Sequence, residues 1–291
     1  MVTFGALLRQ AEPYQPKRIY VSDFASKDEI YAAREADVKK WIVQNMADIT
    51  TPEFKRWFGN SQVVGADGRP LILFHGTRPW GRSNWSETPF SEFKMVSPDG
   101  DYFYHFGSLA QATDRVDLTL IDTPPTSDYE KRLSEVRLYA VFLSIQNPLQ
   151  VSDIGVFKRM GFVKELRRLK VVGDDAIGLF QLLHESKLNR IQKLDTEYPP
   201  LSEATFEEQK RKEADYKQIR LDYDLMMRDL IQGWLEDAGY DGLKYKNEYE
   251  TTGYFGQKDE WSYAALRSNQ VKAVNNGGRW DARSKDVFNG L

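Results

Sequence analysis

Three short segments hold the residues best suited to chemistry. The first is Leu71-Ile-Leu-Phe-His75-Gly-Thr77. Four apolar residues predict a buried strand, and its end presents a histidine, a glycine and a threonine. A strand end holds side chains rigidly, and glycine lets a ligand come close to the backbone. The second is Gly100-Asp-Tyr102-Phe103-Tyr104-His105-Phe106, an aromatic-rich strand after a glycine. Aromatic faces of this kind can stack on a planar heterocycle. The third is Gly253-Tyr-Phe-Gly-Gln-Lys-Asp-Glu260-Trp-Ser-Tyr263, an acidic pair just ahead of a strand. Each segment also has a plainer explanation. A histidine can be a satisfied structural group, Tyr and Phe favour strands in any case, and acids are common in surface loops.

Other chemistries find little support. The chain has no cysteine, which excludes disulfides, thiolate zinc sites and cysteine nucleophiles. Its three histidines, His75, His105 and His184, are too few and too scattered for a poly-histidine metal centre, so no metal is expected. There is no Walker-type phosphate loop, no GxGxxG and no HExxH. Acidic pairs such as Asp99/Asp101, Asp174/Asp175 and Asp259/Glu260 show no spacing that singles out a hydrolase dyad. The formal charge of -3 and pI near 5.8 argue against a globally basic nucleic-acid binder.

The elements that must position these segments follow from pattern. With 291 residues, 41% apolar and 13% aromatic, the composition is globular. No stretch approaches the ~18 apolar residues of a membrane span, and the N-terminus lacks the basic start of a secretory signal. A cytoplasmic protein that does not engage a membrane is therefore expected. Ser26 and Glu29 predict a capping box and a helix from Lys27 to Met46, with Ile30, Trp41, Ile42 and Met46 on its apolar side. Thr51-Pro52 opens a helix that Gly59 closes. Asp67-Gly68 predicts a turn between strands 62–64 and 70–74. The loop after Gly76 carries Trp80, Trp85, Phe90 and Phe93, either anchored to the core or forming a lid over a site. Strands are expected at 101–106, 136–145, 242–246 and 262–266, and helices from Ser108, over 174–186 and from Glu203 to Asp237. In the last of these, Ile219, Tyr223, Met226, Leu230 and Trp234 form the apolar stripe. Short strands that do not alternate strictly with helices favour an α+β fold with a partly antiparallel core.

Taken together, these segments resemble a known family. The run Thr51-Pro-Glu-Phe-Lys-Arg-Trp-Phe-Gly-Asn-Ser-Gln-Val-Val-Gly-Ala-Asp-Gly-Arg-Pro-Leu-Ile-Leu-Phe-His-Gly-Thr77 is similar to the opening of ADP-ribosyltransferase domains of phage polyvalent proteins and bacterial toxins or effectors, with their "F..WFG.SKVVD..G.PLVVYHGT". Phe90–Phe93, Gly100–Phe103, Tyr139–Leu149, Gly239–Glu248, Ser262–Lys272 and Asn275–Asp281 resemble further blocks of the same family in the same order. Residues 51–288 are covered; the first 50 are not.

The resemblance implies a split β-sandwich of two small, mostly antiparallel sheets with flanking helices. An N-terminal helical extension would span 1–50 and a catalytic domain 51–291, with a helical insertion at about 150–237. It implies a mono-ADP-ribosyltransferase that uses NAD and no metal, acting on a protein or RNA acceptor in the cytoplasm of the producing or the target cell. An antitoxin or immunity protein would be a further partner. The implied site is a His-Tyr-Glu motif like that of the poly-ADP-ribose polymerases. His75 would bond a ribose hydroxyl, the Gly76 backbone the nicotinamide amide, and Thr77 would support that turn. Tyr102, next to Phe103, would stack on the nicotinamide. The third position departs from the family. Alignment places Ser262 there, with Glu260 two residues earlier on the same strand face and Glu248 as a further acid. The second stacking tyrosine is also absent, since the matching stretch reads Leu109-Ala-Gln-Ala-Thr113. Hydrolysis of NAD at the same site, or a degenerate binding domain, are the alternatives.

Overall fold

A computed structural model describes residues 12–15, 27–77, 102–115, 136–155, 157, 160–200, 202, 204–247 and 261–288. Trp80, Trp85, Phe90, Phe93, Glu248 and Glu260 lie outside the described residues, as do Ser26 and the 253–260 segment. The chain divides into two compact units. One draws on Met1–Met95, Tyr104–Asp153 and Asp241–Leu291, the other on Val96–Phe103 and Ile154–Tyr240.

The first unit is α+β. Helix α1 (Lys27–Asn45) and helix α2 (Pro52–Phe58) precede strand β1 (Leu73–Thr77). Strand β2 (His105–Phe106), helix α3 (Leu109–Arg115), and strands β3 (Arg137–Leu143) and β4 (Pro148–Gln150) follow. After the second unit come β5 (Gly242–Lys246), β6 (Trp261–Ala265) and β7 (Val271–Ala273). They form two small sheets, ordered β1-β3-β7 and β2-β6-β5-β4. Every strand pair among the described residues is antiparallel except β4–β5.

Alternation along β3 explains the core. Tyr139, Val141 and Leu143 face one way and join Leu73, Phe106, Tyr263, Ala265, Val271 and Ala273 in a cluster fed by both sheets. Leu138, Ala140 and Phe142 face the other way, as a pleat of period two requires. There they meet α1 and α2 in an aromatic cluster. Phe54 and Trp280 lie 4.7 Å apart edge-on, and Trp57 stacks on Trp280 at 5.5 Å. Helix α2 follows its signals closely. The Thr51 hydroxyl accepts from Phe54 N–H at 3.2 Å, Pro52 opens the first turn, and Gly59 ends the helix at φ 58°. Removing such a cap costs about 1 kcal/mol.

Several expectations are corrected in detail. On α1 the buried apolar positions are Val38 and Ile42 beside Trp41, with Arg34 also buried, while Met46, just past the helix end, is 40% exposed. The side chain of Ile30 is outside the described set. The turn at Asp67-Gly68 forms, with Gly68 at φ 75°, but it joins only the single bridge Val64↔Pro70. Pro70 has no N–H to extend a ladder, so β1 begins at Leu73. Of the strand expected at 101–106, only His105–Phe106 pairs, because the chain bends at Tyr102 and Phe103.

The second unit is helical among its described residues. Helices α4 (Met160–Arg168), α5 (Asp175–Glu197) and α6 (Phe206–Asp237) lie in sequence between β4 and β5. Thr205 and Glu208 close a reciprocal capping box at the start of α6. Partners descend along α6 as they ascend along α5: Lys187 meets Asp224, Arg190 meets Asp222 and Asp195 meets Lys212. The two helices are therefore antiparallel. The buried stripe of α6 is Ile219, Tyr223, Met227, Ile231 and Leu235, whereas Met226 is 44% exposed. The sequence offers neighbouring apolar pairs at 226–227, 230–231 and 234–235. Burial selects the second member of each.

Candidate functional site

Strand β1 is the edge of the three-stranded sheet, and His75 sits at its centre. His75 shares a face with Leu73, two residues away, and so points to the cluster between the sheets. Tyr104 meets its ring edge-on at 5.3 Å, and Phe106 lies tilted at 5.6 Å. Burial pushes the Tyr104 hydroxyl up to about 12, so it stays a neutral phenol.

His75 Nδ1 is 2.8 Å from the His105 carbonyl oxygen. A carbonyl only accepts, so the proton of the neutral ring is on Nδ1 and the lone pair on Nε2. The ring is thereby set to receive a hydroxyl proton at Nε2. His105 is itself held, with Nδ1 3.0 Å from the Tyr245 hydroxyl.

The backbone at Gly76 follows from one bridge. Phe74 N–H donates to Gly107 O at 2.8 Å, and Gly107 N–H donates back to Phe74 O at 3.0 Å. Residues two apart on a strand direct their amides to the same edge, so the N–H and C=O of Gly76 also emerge toward β2. No described residue continues the ladder there: the backbone pairing of β1 on this edge is the isolated bridge of Phe74 with Gly107. A donor and an acceptor side by side, with no Cβ in the way, suit a planar amide.

Thr77 ends the strand. Its hydroxyl is buried without a hydrogen-bond partner among the described residues. Ser262 on β6 is buried and fully engaged. Its hydroxyl donates to Gln111 Oε1 at 3.1 Å and accepts from Asn247 Nδ2 at 3.3 Å. Gln111 on α3 and Ser108 form a reciprocal pair. Ser108 N–H donates to Gln111 Oε1 at 2.8 Å, and Gln111 N–H donates to Ser108 Oγ at 3.2 Å.

The described structure thus gathers His75, Gly76 and the Ser262 cluster around the β1–β2 junction. Tyr102 and Phe103 are buried, at 1% and 2% exposed, and group with the second unit. Glu260 and Glu248 are outside the described residues. Gln111, Asn247 and Tyr245 were not singled out from sequence. The Ser-x-x-Gln spacing of a capping box was the available signal for Gln111; Asn247 and Tyr245 lie in the Gly239–Glu248 block, whose resemblance to the family was the available signal for them. No group of three or more metal-ligating side chains occurs among the described residues, and no described helix is long and apolar enough to cross a membrane. No protein-family model, curated protein or solved structure matches the chain.

Proposed function

We propose that this chain is a mono-ADP-ribosyltransferase that uses NAD to modify a macromolecular acceptor, protein or RNA. The observation that carries the reading is the middle of β1. His75 there has its lone pair set at Nε2 by the His105 carbonyl, beside the unladdered amide edge of Gly76. One end fits a ribose hydroxyl and the other a carboxamide, the two groups that flank the bond to be broken in NAD.

In the proposed reaction the bond between nicotinamide nitrogen and ribose C1′ breaks. Its electron pair moves to the nicotinamide ring and neutralises it, leaving an oxocarbenium-like ribosyl centre. An acceptor lone pair closes on C1′ and the acceptor loses its proton. His75 orients the ribose and Gly76 holds the departing amide. An acid at the third position stabilises developing positive charge and orients the nucleophile. Glu260 is proposed for it. Ser262 is less suited, because its hydroxyl is already spent on Gln111 and Asn247. The phage or bacterial toxin setting rests on the sequence resemblance.

The test is incubation of the full chain in cell lysate with NAD labelled on the adenylate, followed by protease or nuclease treatment. Free nicotinamide is measured in parallel. Label lost to protease marks a protein acceptor and label lost to nuclease an RNA acceptor. Nicotinamide release without label would replace transfer by hydrolysis, and neither signal from folded protein would sink the enzymatic reading. His75→Ala should abolish release while leaving the thermal unfolding transition in place.

A further inference from the structure

We infer that the buried carboxamide of Gln111 binds the nucleotide, its Nε2 donating to an uncharged ligand oxygen, either the carboxamide carbonyl or a ribose hydroxyl. The inference rests on the proposed NAD-dependent reaction.

The orientation of the amide is unambiguous. A backbone N–H can only donate, so the atom that receives Ser108 N–H is the oxygen, and the Ser262 hydroxyl reaches the same oxygen. The other end is therefore Nε2. Gln111 is 2% exposed, and Nε2 is buried without a hydrogen-bond partner among the described residues. Buried amide donors are rarely left unpaired, because the desolvation cost is not recovered. The reciprocal cap with Ser108 does not account for it. That role uses only Oε1, and a glutamate would fill it equally well.

The location joins this donor to the site. A Cβ on Gly107 would lie 1.9 Å from Gln111 Oε1 and 2.9 Å from its Cδ, so the amide occupies space that only glycine leaves open. Gly107 is bridged to Phe74, the residue before His75. The carboxamide of Gln111 thus lies beside the junction at which Gly76 presents its amide edge, with Oε1 toward Gly107 and Nε2 at its other end. No ionised side chain bonds to Gln111, Ser108 or Ser262 among the described residues. Such a neutral cluster suits an uncharged oxygen better than a phosphate.

The test is equilibrium binding of the full chain to NAD, nicotinamide and ADP-ribose. Gln111→Glu keeps an acceptor for Ser108 and Ser262 and replaces the amide donor by a second carboxylate oxygen. It should weaken NAD about tenfold, together with one of the two fragments. Loss for nicotinamide assigns the carboxamide carbonyl, and loss for ADP-ribose assigns a ribose hydroxyl. Gly107→Ala, whose Cβ would displace the amide, should show the same selectivity and serves if Gln111→Glu does not fold. Unchanged affinities in the folded variant, or an equal loss for all three probes, would overturn the inference and leave the function standing. A wild-type chain that binds none of the probes would overturn both.

Discussion

At the scale of single residues, hydrogen-bond accounting separates roles that residue type leaves merged. A histidine at a strand end can be a structural plug. His75 differs because a backbone carbonyl sets its tautomer, which makes its outer nitrogen an acceptor of defined direction. Ser262 shows the reverse. The sequence resemblance would put a glutamate at its place in the strand, yet both its donor and an acceptor position are used inside the protein. Ser262→Ala should therefore cost stability, on the order of 1–3 kcal/mol, by leaving Gln111 and Asn247 short of a partner. Glu260→Ala should leave denaturant midpoints in place and lower nicotinamide release by about 10²–10⁴-fold. The opposite pattern, with Ser262→Ala stable but inactive, would return the third role to Ser262. Loss with Glu248→Ala and full activity with Glu260→Ala would move it to Glu248.

At the scale of elements, two helices and one strand lend themselves to test. The stripe of α6 runs through Tyr223, Met227 and Ile231. Met227→Ala should lower unfolding free energy by about 2–5 kcal/mol, and Met226→Ala by no more than about 0.5 kcal/mol. Equal effects in chemical denaturation would reject this register. Strand β7 carries Lys272, wholly buried, with Nζ donating to Ser284 O at 2.7 Å and Asp286 O at 2.8 Å. The lysine ties the 284–286 segment to β7, and Ala273 N–H adds a bond to Val287 O at 3.0 Å. Burial lowers the Lys272 ammonium to about 8 despite the attraction of Asp286 and Asp281. Between pH 8 and the ordinary lysine value of about 10.4, the unfolded chain holds this proton and the folded chain has released it. Stability from this group therefore rises with pH across that window and is at its lowest below pH 8. Comparing unfolding of wild type and Lys272→Met from pH 7.5 to 10 isolates the effect. The wild type should gain relative to the variant, and parallel curves would count against the assignment.

At the scale of the whole molecule, distant parts of the chain close the first unit. Trp280 packs on Phe54, Trp57 and Phe142, and the Trp57 indole N–H donates to Asn269 O at 3.1 Å. Helix α2, central strand β3 and the segment after β7 thus share one cluster. Trp280→Ala should cost about 3–5 kcal/mol, seen as a lower denaturant midpoint. A midpoint within experimental error of wild type would mean that this cluster does not hold the sheet to α2.

Features written in local spacing were legible before any coordinates. Thr51-Pro52 and Gly59 bound α2, and strand 242–246 forms where expected. The absence of cysteine closed off a whole group of chemistries. The run His75-Gly76-Thr77 stood out, because an imidazole and a missing Cβ are each local properties, although the strand starts at Leu73 and so holds His75 at its middle and not at its end. What depended on tertiary packing is of another kind. The nitrogen of His75 that holds the proton depends on a carbonyl 30 residues away. The saturation of Ser262 depends on a helix residue 151 positions earlier. The choice of Met227 over Met226 depends on which face of the helix the fold buries. Local chemistry dictates what a residue is able to do, but satisfied partners and buried faces are relations between segments. They come into being only when the chain has closed on itself.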